Sequence, residues 1–287
     1  MTEALDTHAA VRDDRAFVFD DRDFARVCRM IRERAGIHLG PSKRDMVYSR
    51  LARRIRALGL QRFSEYLDLV EQNPDDEDQP FVNALTTNLT SFFREEHHFD
   101  AFSTLLRGAG PGPHSIWCCA ASTGEEPYSI AITACETFGT LTPPVRILAT
   151  DIDTGVLETA ARGVYPFERI SSLSPQRQRA FFQRGTGPNA GLVRVKPELQ
   201  ALIEFRALNL LGDDYGVRGG LLAVFCRNVM IYFDKPTQHE VLRRIAPLLA
   251  TDGVFYAGHS ESFGHAADVV RPCGRTAYRA LRAGDPR

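Results

Sequence analysis

The stretch Ser115–Ser129 reads SIWCCAASTGEEPYS. An apolar run, Ile116–Ala121, ends at Ser122-Thr123-Gly124, and Glu125 and Glu126 then open a helix-like segment. In an open α/β sheet, ligands bind where the carboxyl end of a strand turns into a helix. A phosphate seated on that helix N-terminus would be repelled by both glutamates. The turn suits a cofactor with a cationic portion and no phosphate. S-adenosylmethionine fits that description, with its ammonium, sulfonium and ribose. Taken alone, the two acids could equally serve only the first turn of the helix.

Two further stretches carry chemistry. RILATDID ends in Asp151 and Asp153. An acid at the end of the strand that follows a glycine turn is placed to take ribose hydroxyls, which points to Asp151. Asp153 reads as a helix cap. In VFCRNVMIYFD, Val224–Asp234, an apolar run is interrupted by Arg227-Asn228 before Tyr232. Polar groups inside such a run need partners. These partners are either a ligand at the strand's carboxyl end or hydrogen bonds within the loop. No GxSxG is present, and His97, His98 and His259 lack recognisable catalytic partners in sequence. That absence fits methyl transfer to a carboxylate, because a glutamate with a reference pKa of about 4.3 is already ionised at neutral pH. Such a reaction needs alignment and exclusion of water rather than a base.

The elements that must position these residues fall into two classes. From Asp23 to Gln72, apolar residues recur at helical spacing (Phe24, Val27, Ile31, then Val47, Leu51, Ile55, Leu58), which predicts a small helical bundle. NPDDEDQP, Asn73–Pro80, reads as a turn or linker. From Ser115 onward strands alternate with helices. Strands are expected at Ser115–Ala120, Arg146–Thr150, Leu221–Cys226 and Gly253–Gly258. Helices are expected at Pro127–Phe138, Thr154–Arg162, Pro175–Gln183 and Pro236–Leu249. This alternation predicts an α/β domain with a mostly parallel sheet. Thr276–Leu281 would return as an edge strand. Leu192–Val195 and Ala201–Ala207 have only a KPE turn between them, and read as a small antiparallel β insertion at about 184–208. The expected organisation is a tail at 1–16, a helical domain at 17–82 and the α/β domain at 83–284.

Bulk properties exclude several classes. The 287 residues carry a formal net charge of −1, which gives no global attraction to nucleic acid or acidic membranes. No run reaches the ~18–20 apolar residues of a membrane span, and the N-terminus lacks the layout of a signal peptide. A cytoplasmic monomer that neither binds nucleic acid nor inserts in a membrane is expected. The six cysteines form no CxxC pair, and no HExxH or comparable cluster appears, so buried thiols and no metal are expected.

TTNLTSFFRE, ASTGEEPYSIA, ATDID, RGTGPNAGLVRV, LNLL, FCRNVMIYFD and AGHSESF occur in that order between about Phe19 and Leu281. Together they resemble the chemotaxis receptor methyltransferase (CheR) family. The resemblance implies a Rossmann-like methyltransferase domain that uses S-adenosyl-L-methionine, releases S-adenosyl-L-homocysteine, and forms methyl esters on glutamates of chemoreceptor cytoplasmic domains. Carried over by motif, it implies cofactor contacts at Asn88, Thr90, Arg94, Glu125, Asp151, Asn209, Leu210, Cys226, Arg227 and Asn228. It also implies that Arg94 and Tyr232 border the transferred methyl.

Substrate docking has two candidate surfaces. Lys43–Arg62 holds seven basic residues and one acid. Lys43, Arg50, Arg53 and Arg54 cluster beside the apolar stripe of one helix. That face is either simply solvated or an electrostatic dock for an acidic partner such as the glutamate-rich receptor helices. In part of the family the β insertion resembles an edge that captures a receptor's C-terminal tail peptide by strand addition. Arg184, Gly185, Gly187 and Arg194 match that version.

Overall fold

A computed structural model of the chain describes residues 16–282. The expected N-terminal tail lies outside them, apart from Ala16. Four helices open the described chain: α1 (Asp21–Ala35), α2 (Arg44–Ala57), α3 (Phe63–Gln72) and α4 (Pro74–Leu85). A capping box starts α1, with the Asp23 N–H donating to Asp20 Oδ1 at 2.8 Å and the Asp20 N–H to Asp23 Oδ2 at 3.3 Å. Of the expected apolar stripe, Val27, Ile31, Val47, Leu51 and Ile55 are fully buried with Phe63, Tyr66 and Phe81, while Phe24 is half-buried and Leu58, at the end of α2, is exposed.

The expected linker at Asn73–Pro80 is instead the start of α4. Proline at the first helical position costs no hydrogen bond, because that N–H has no partner in any helix. Asp75, Asp76 and Glu77 lie in the first turn, where the helix dipole favours acids. Buried Glu77 also takes a two-pronged bond from Arg54, at 2.6 Å on each side. Pro80 is tolerated inside the helix.

The second part continues α5 (His97–Gly108), β1 (His114–Cys119), α6 (Glu125–Phe138), β2 (Val145–Asp151), α7 (Thr154–Arg162), β3 (Val164–Pro166), α8 (Pro175–Phe181) and β4 (Phe182–Arg184). It ends with β5 (Leu192–Val195), α9 (Pro197–Gln200), β6 (Ile203–Ala207), β7 (Leu221–Cys226), α10 (Lys235–Ile245), β8 (Leu249–Tyr256), β9 (Val270–Gly274) and β10 (Ala277–Ala280). The main sheet runs β6-β2-β1-β7-β8-β10-β9. Its first five strands are mutually parallel, and β10 pairs antiparallel with both β8 and β9. Apolar clusters cover both faces, one around Ile116, Ile130 and Phe225 and the other around Trp117, Val224 and Val241. A parallel sheet packed on both sides needs such continuous apolar strands, and β7 is buried at every position.

Two strand assignments need correction. Thr276–Leu281 was expected at the edge, but β10 lies inside and the short β9 is the edge. Ala201–Ala207 was expected in the insertion. It forms β6, which pairs parallel with β2 in the main sheet, Ile203 opposite Ile147 through Ala207 opposite Asp151. The KPE turn is one helical turn, α9, and it is enough to carry the chain across. The antiparallel sheet is β3-β5-β4, so the insertion begins near Val164 and ends at Val195 rather than spanning 184–208.

Candidate functional site

A cavity opens at the carboxyl ends of β1, β2 and β7, with residues of α1, α2 and the segment before α2 closing its other side. The end of β2 supplies Asp151, the segments that follow β1 and β7 supply Ala120, Ser122, Glu126, Arg227, Asn228 and Tyr232, and the 86–94 segment supplies Asn88, Thr90 and Arg94. Asn209 and Leu210 enter from the loop after β6, while His38, Lys43 and Met46 enter from the helical domain. Backbone contacts fix the two domains together there. The His38 N–H donates to the Tyr232 carbonyl at 3.0 Å, and Asn209 Nδ2 donates to the Arg34 carbonyl at 2.7 Å.

Six non-glycine residues among those described have positive φ, and Ala120 (57°), Ser122 (49°) and Asn228 (58°) line this cavity. Phe93 (53°) and Glu95 (59°) flank Arg94. Such backbone costs about 1–3 kcal/mol per residue and collects where geometry matters.

Asp151 is buried at the end of β2. Its Oδ2 accepts from the Ser122 N–H at 2.8 Å and its Oδ1 from the Asp153 N–H at 2.9 Å. The Ile152 N–H also bonds this carboxylate, which has acceptor room for about four donors. Burial pushes the carboxyl up to about 6, against the pull of those N–H donors. Asp153 caps α7 as expected, taking the Gly155 and Val156 N–H groups on Oδ1. Its Oδ2 also takes Thr86 Oγ1 (2.7 Å) and Asn88 Nδ2 (2.8 Å), which fixes the 86–94 segment.

The two glutamates of the opening turn have opposite placements. Glu125 does not line the cavity, contrary to the expectation that its charge faces a ligand. It is fully buried, takes the Thr123 hydroxyl at 2.6 Å and pairs with Arg169. Glu126 lines the cavity and takes Arg227 Nη1 at 2.6 Å. Burial raises its carboxyl while Arg227 draws it back down. The sequence does not separate the two glutamates, because consecutive helical residues face directions about 100° apart and which one turns inward depends on how α6 packs on the sheet; Gly124, just before them, has φ 101°. That glycine serves packing. A Cβ there would lie 2.7 Å from Tyr165 Oη and 3.0 Å from Ala160 Cα.

Arg227 has no side-chain exposure. Besides Glu126 it faces Glu95 Oε2 at 3.4 Å and donates to the Arg94 carbonyl. Burial works to raise the Glu95 carboxyl, but His259, 2.9 Å away, and Arg227 outweigh it and hold it at about 2. Arg94 is half-buried and donates to the Leu89 carbonyl at 3.0 Å. Cys226 does not reach the cavity. Its side chain is buried beside Cys119, its register partner on β1. Lys43, His38 and Met46 were missed as cavity residues, because nothing local to a helix reports which distant strand ends it will face.

The docking residues divide. Arg54 is held by Glu77, and Arg50 donates to the Leu85 and Thr86 carbonyls at 3.0 and 2.5 Å, so both are structural. Arg53 is exposed. On the insertion, Arg184 lies over the Phe167 ring at 4.6 Å and Arg194 is exposed on β5. A Cβ on Gly185 would collide with the Asn189 backbone, and Gly187 has φ 56°.

Comparison with known families matches residues 22–86 to the all-alpha domain of CheR methyltransferases and residues 88–279 to their SAM-binding domain. The chain belongs to the CheR methyltransferase family. It is 52% identical to chemotaxis protein methyltransferase 2 of Pseudomonas aeruginosa over 95% of this chain and 98% of that one. It is 48% identical to the chemotaxis protein methyltransferase of Salmonella typhimurium (97% and 98% covered), and 51% identical to that of Escherichia coli (90% of each). This CheR-family protein is therefore an S-adenosylmethionine-dependent chemotaxis methyltransferase. The all-alpha domain and the SAM-binding domain meet at Leu85–Asn88, where Arg50 grips the chain.

Proposed function

We propose that this enzyme methylates glutamate side chains in the cytoplasmic domains of chemoreceptors, and that the cavity at the ends of β1, β2 and β7 is where it does so. The observation that carries this reading is the composition of the cavity wall. It presents buried Asp151 with acceptor capacity to spare, Glu126 paired with Arg227, and two further cations, Lys43 and Arg94. Such a wall, with both acids and cations, suits a cofactor that carries charges of both signs and ribose hydroxyls, together with an incoming carboxylate.

Asp151 would take the ribose hydroxyls. Asn88, Thr90, Asn209, Leu210 and Asn228 would shape the rest of the cofactor pocket, with Glu126 rather than Glu125 facing the cationic end. When bound, S-adenosylmethionine supplies an electrophilic methyl group. Arg94 would orient the substrate carboxylate by a charge-assisted hydrogen bond, and Tyr232 would close the pocket against water. A carboxylate needs no base to react, so alignment is the task left to these side chains. The test is transfer of labelled methyl from the cofactor to base-labile esters on a receptor cytoplasmic fragment. Cofactor binding with no ester on any receptor would overturn the reading.

Two surfaces would hold the receptor. Arg53, exposed on α2, would meet acidic receptor helices. The free edge of β4, with the rigid Gly185–Gly187 turn and exposed Arg194 beside it, would add a receptor tail as a further strand. A tail held there would raise the effective concentration of nearby glutamates. Titration with receptor tail peptides tests this, and no binding above background would sink it.

A further inference from the structure

The loop after β7 hangs on a carboxylate from another part of the chain. Glu261, in the turn that follows β8, is buried with 5% exposure and does not line the cavity. Its Oε2 accepts from the Gly258 N–H at 2.5 Å and the Asn228 N–H at 3.1 Å, and its Oε1 from the Ile231 N–H at 3.3 Å. The Ile231 N–H, and with it the Met230 N–H, belong to the start of a one-turn 3-10 helix, Met230–Tyr232, which has no side-chain cap of its own, and the Asn228 bond holds the chain just before it.

Three carbonyls of that loop are also bound. Gln238 Nε2 donates to the Met230 and Phe233 carbonyls at 2.8 and 3.0 Å, and His38 to the Tyr232 carbonyl. Asn228 holds φ 58° while pressed against Gly258, where a Cβ would run into the Asn228 amide. The stretch that brings Asn228, Val229 and Tyr232 to the cavity wall is therefore fixed at its N–H groups by Glu261.

We propose that Glu261 is a positioning residue for methyl transfer, holding the Asn228–Tyr232 wall in its reactive shape from outside the cavity. The proposal rests on the assignment of that cavity as the site of transfer. Its logic is the number of acceptors. Four N–H groups, those of Gly258, Asn228, Ile231 and Met230, converge on two oxygens, so a carboxylate has an acceptor site for each. A glutamine of the same shape offers one oxygen and turns an NH2 group toward N–H donors. Placing the amide oxygen at the Oε2 position leaves the Ile231 N–H unmatched and frees the turn that carries Tyr232.

The experiment compares wild type with Glu261→Gln and Glu261→Asp. It measures cofactor Kd by calorimetry, kcat and KM for a receptor cytoplasmic fragment, and amide hydrogen exchange. Glu261→Gln is expected to lower kcat at least tenfold, with cofactor Kd and receptor KM within about threefold. Glu261→Asp, which keeps two acceptor oxygens on a shorter stem, is expected to retain more activity than Glu261→Gln. A pure packing role predicts the reverse order, because glutamine fills the same volume, and that order would overturn the proposal.

Exchange provides an arm that needs no substrate. The Asn228 and Ile231 amides are expected to be protected in wild type, and the Ile231 amide to exchange faster in Glu261→Gln, while those of Leu222–Phe225 stay protected. Unprotected loop amides in wild type would refute the proposal, and so would loss of protection throughout β7. If wild type forms no ester on receptors, the functional reading fails and the exchange result still decides the role of Glu261.

Discussion

The loops after β1 and after β7 are neighbours at the cavity, and they are held in contrasting ways. Both contain non-glycine residues at positive φ, and in both a buried carboxylate from elsewhere in the chain captures backbone N–H groups. Asp151, which holds the loop after β1, is itself part of the cavity wall. Glu261, which holds the loop after β7, stands behind that wall. A carboxylate in the wall can both support the loop and receive a ligand, so its loss should be read in binding. A carboxylate behind the wall can only shape it, so its loss should be read in rate.

The largest effect expected on the β1 side comes from Gly124→Ala. The new Cβ meets Tyr165 and Ala160 at a φ of 101°, which should cost on the order of 3 kcal/mol of stability. Thermal melting checks this, and the folded fraction should keep its cofactor affinity because Gly124 does not line the cavity. Next in size is Asp151→Ala. Removing a charged acceptor of two hydroxyls should weaken cofactor binding by about 2 kcal/mol, or roughly thirtyfold. Unchanged affinity by calorimetry would break the contrast between the two loops.

Acidification should act in the same direction by a smaller amount. With the Asp151 carboxyl at about 6 in the free protein, cofactor affinity should fall roughly tenfold between pH 7 and pH 5. Asp151→Asn should flatten that slope. The stability linkage of this group has the opposite sign. Its folded pKa is raised above the usual 3.8, so its contribution to stability is fully present below that value and is lost as pH rises through about 6. The smallest effect belongs to the remote surface. Arg53→Glu should raise receptor KM about two- to fivefold while sparing cofactor affinity, consistent with the ~1 kcal/mol that an exposed charge contributes.

Much of the fold was legible because period and punctuation agreed. Leu221–Cys226, Leu192–Val195 and Thr154–Arg162 form at the residues expected. The errors have one physical root. A short apolar run announces a strand but not its partner, so Ala201–Ala207 was assigned to the insertion when it belongs beside β2. Prolines and acids announce a break, yet at Pro74 they start a helix instead. In the site, Asp151 could be found because the end of a strand has a definite place in an α/β sheet. Glu125 and Glu126 could not be separated, since the packing of α6 on the sheet sets which of two adjacent helical residues faces the cavity. His38 and Lys43 were beyond reach, because their role depends on strand ends far along the chain.

The contact between Asn209 and the Arg34 carbonyl joins residues 175 positions apart. A ribosome adding roughly 5–20 residues each second needs on the order of ten seconds to half a minute to make the intervening chain. Within that interval the rest of the helical domain is made first and the ends of β1 and β2 next, while the end of β7, which completes the cavity, follows Asn209. The newborn polypeptide therefore acquires its pocket late in synthesis, as one event that waits for the second half of the message.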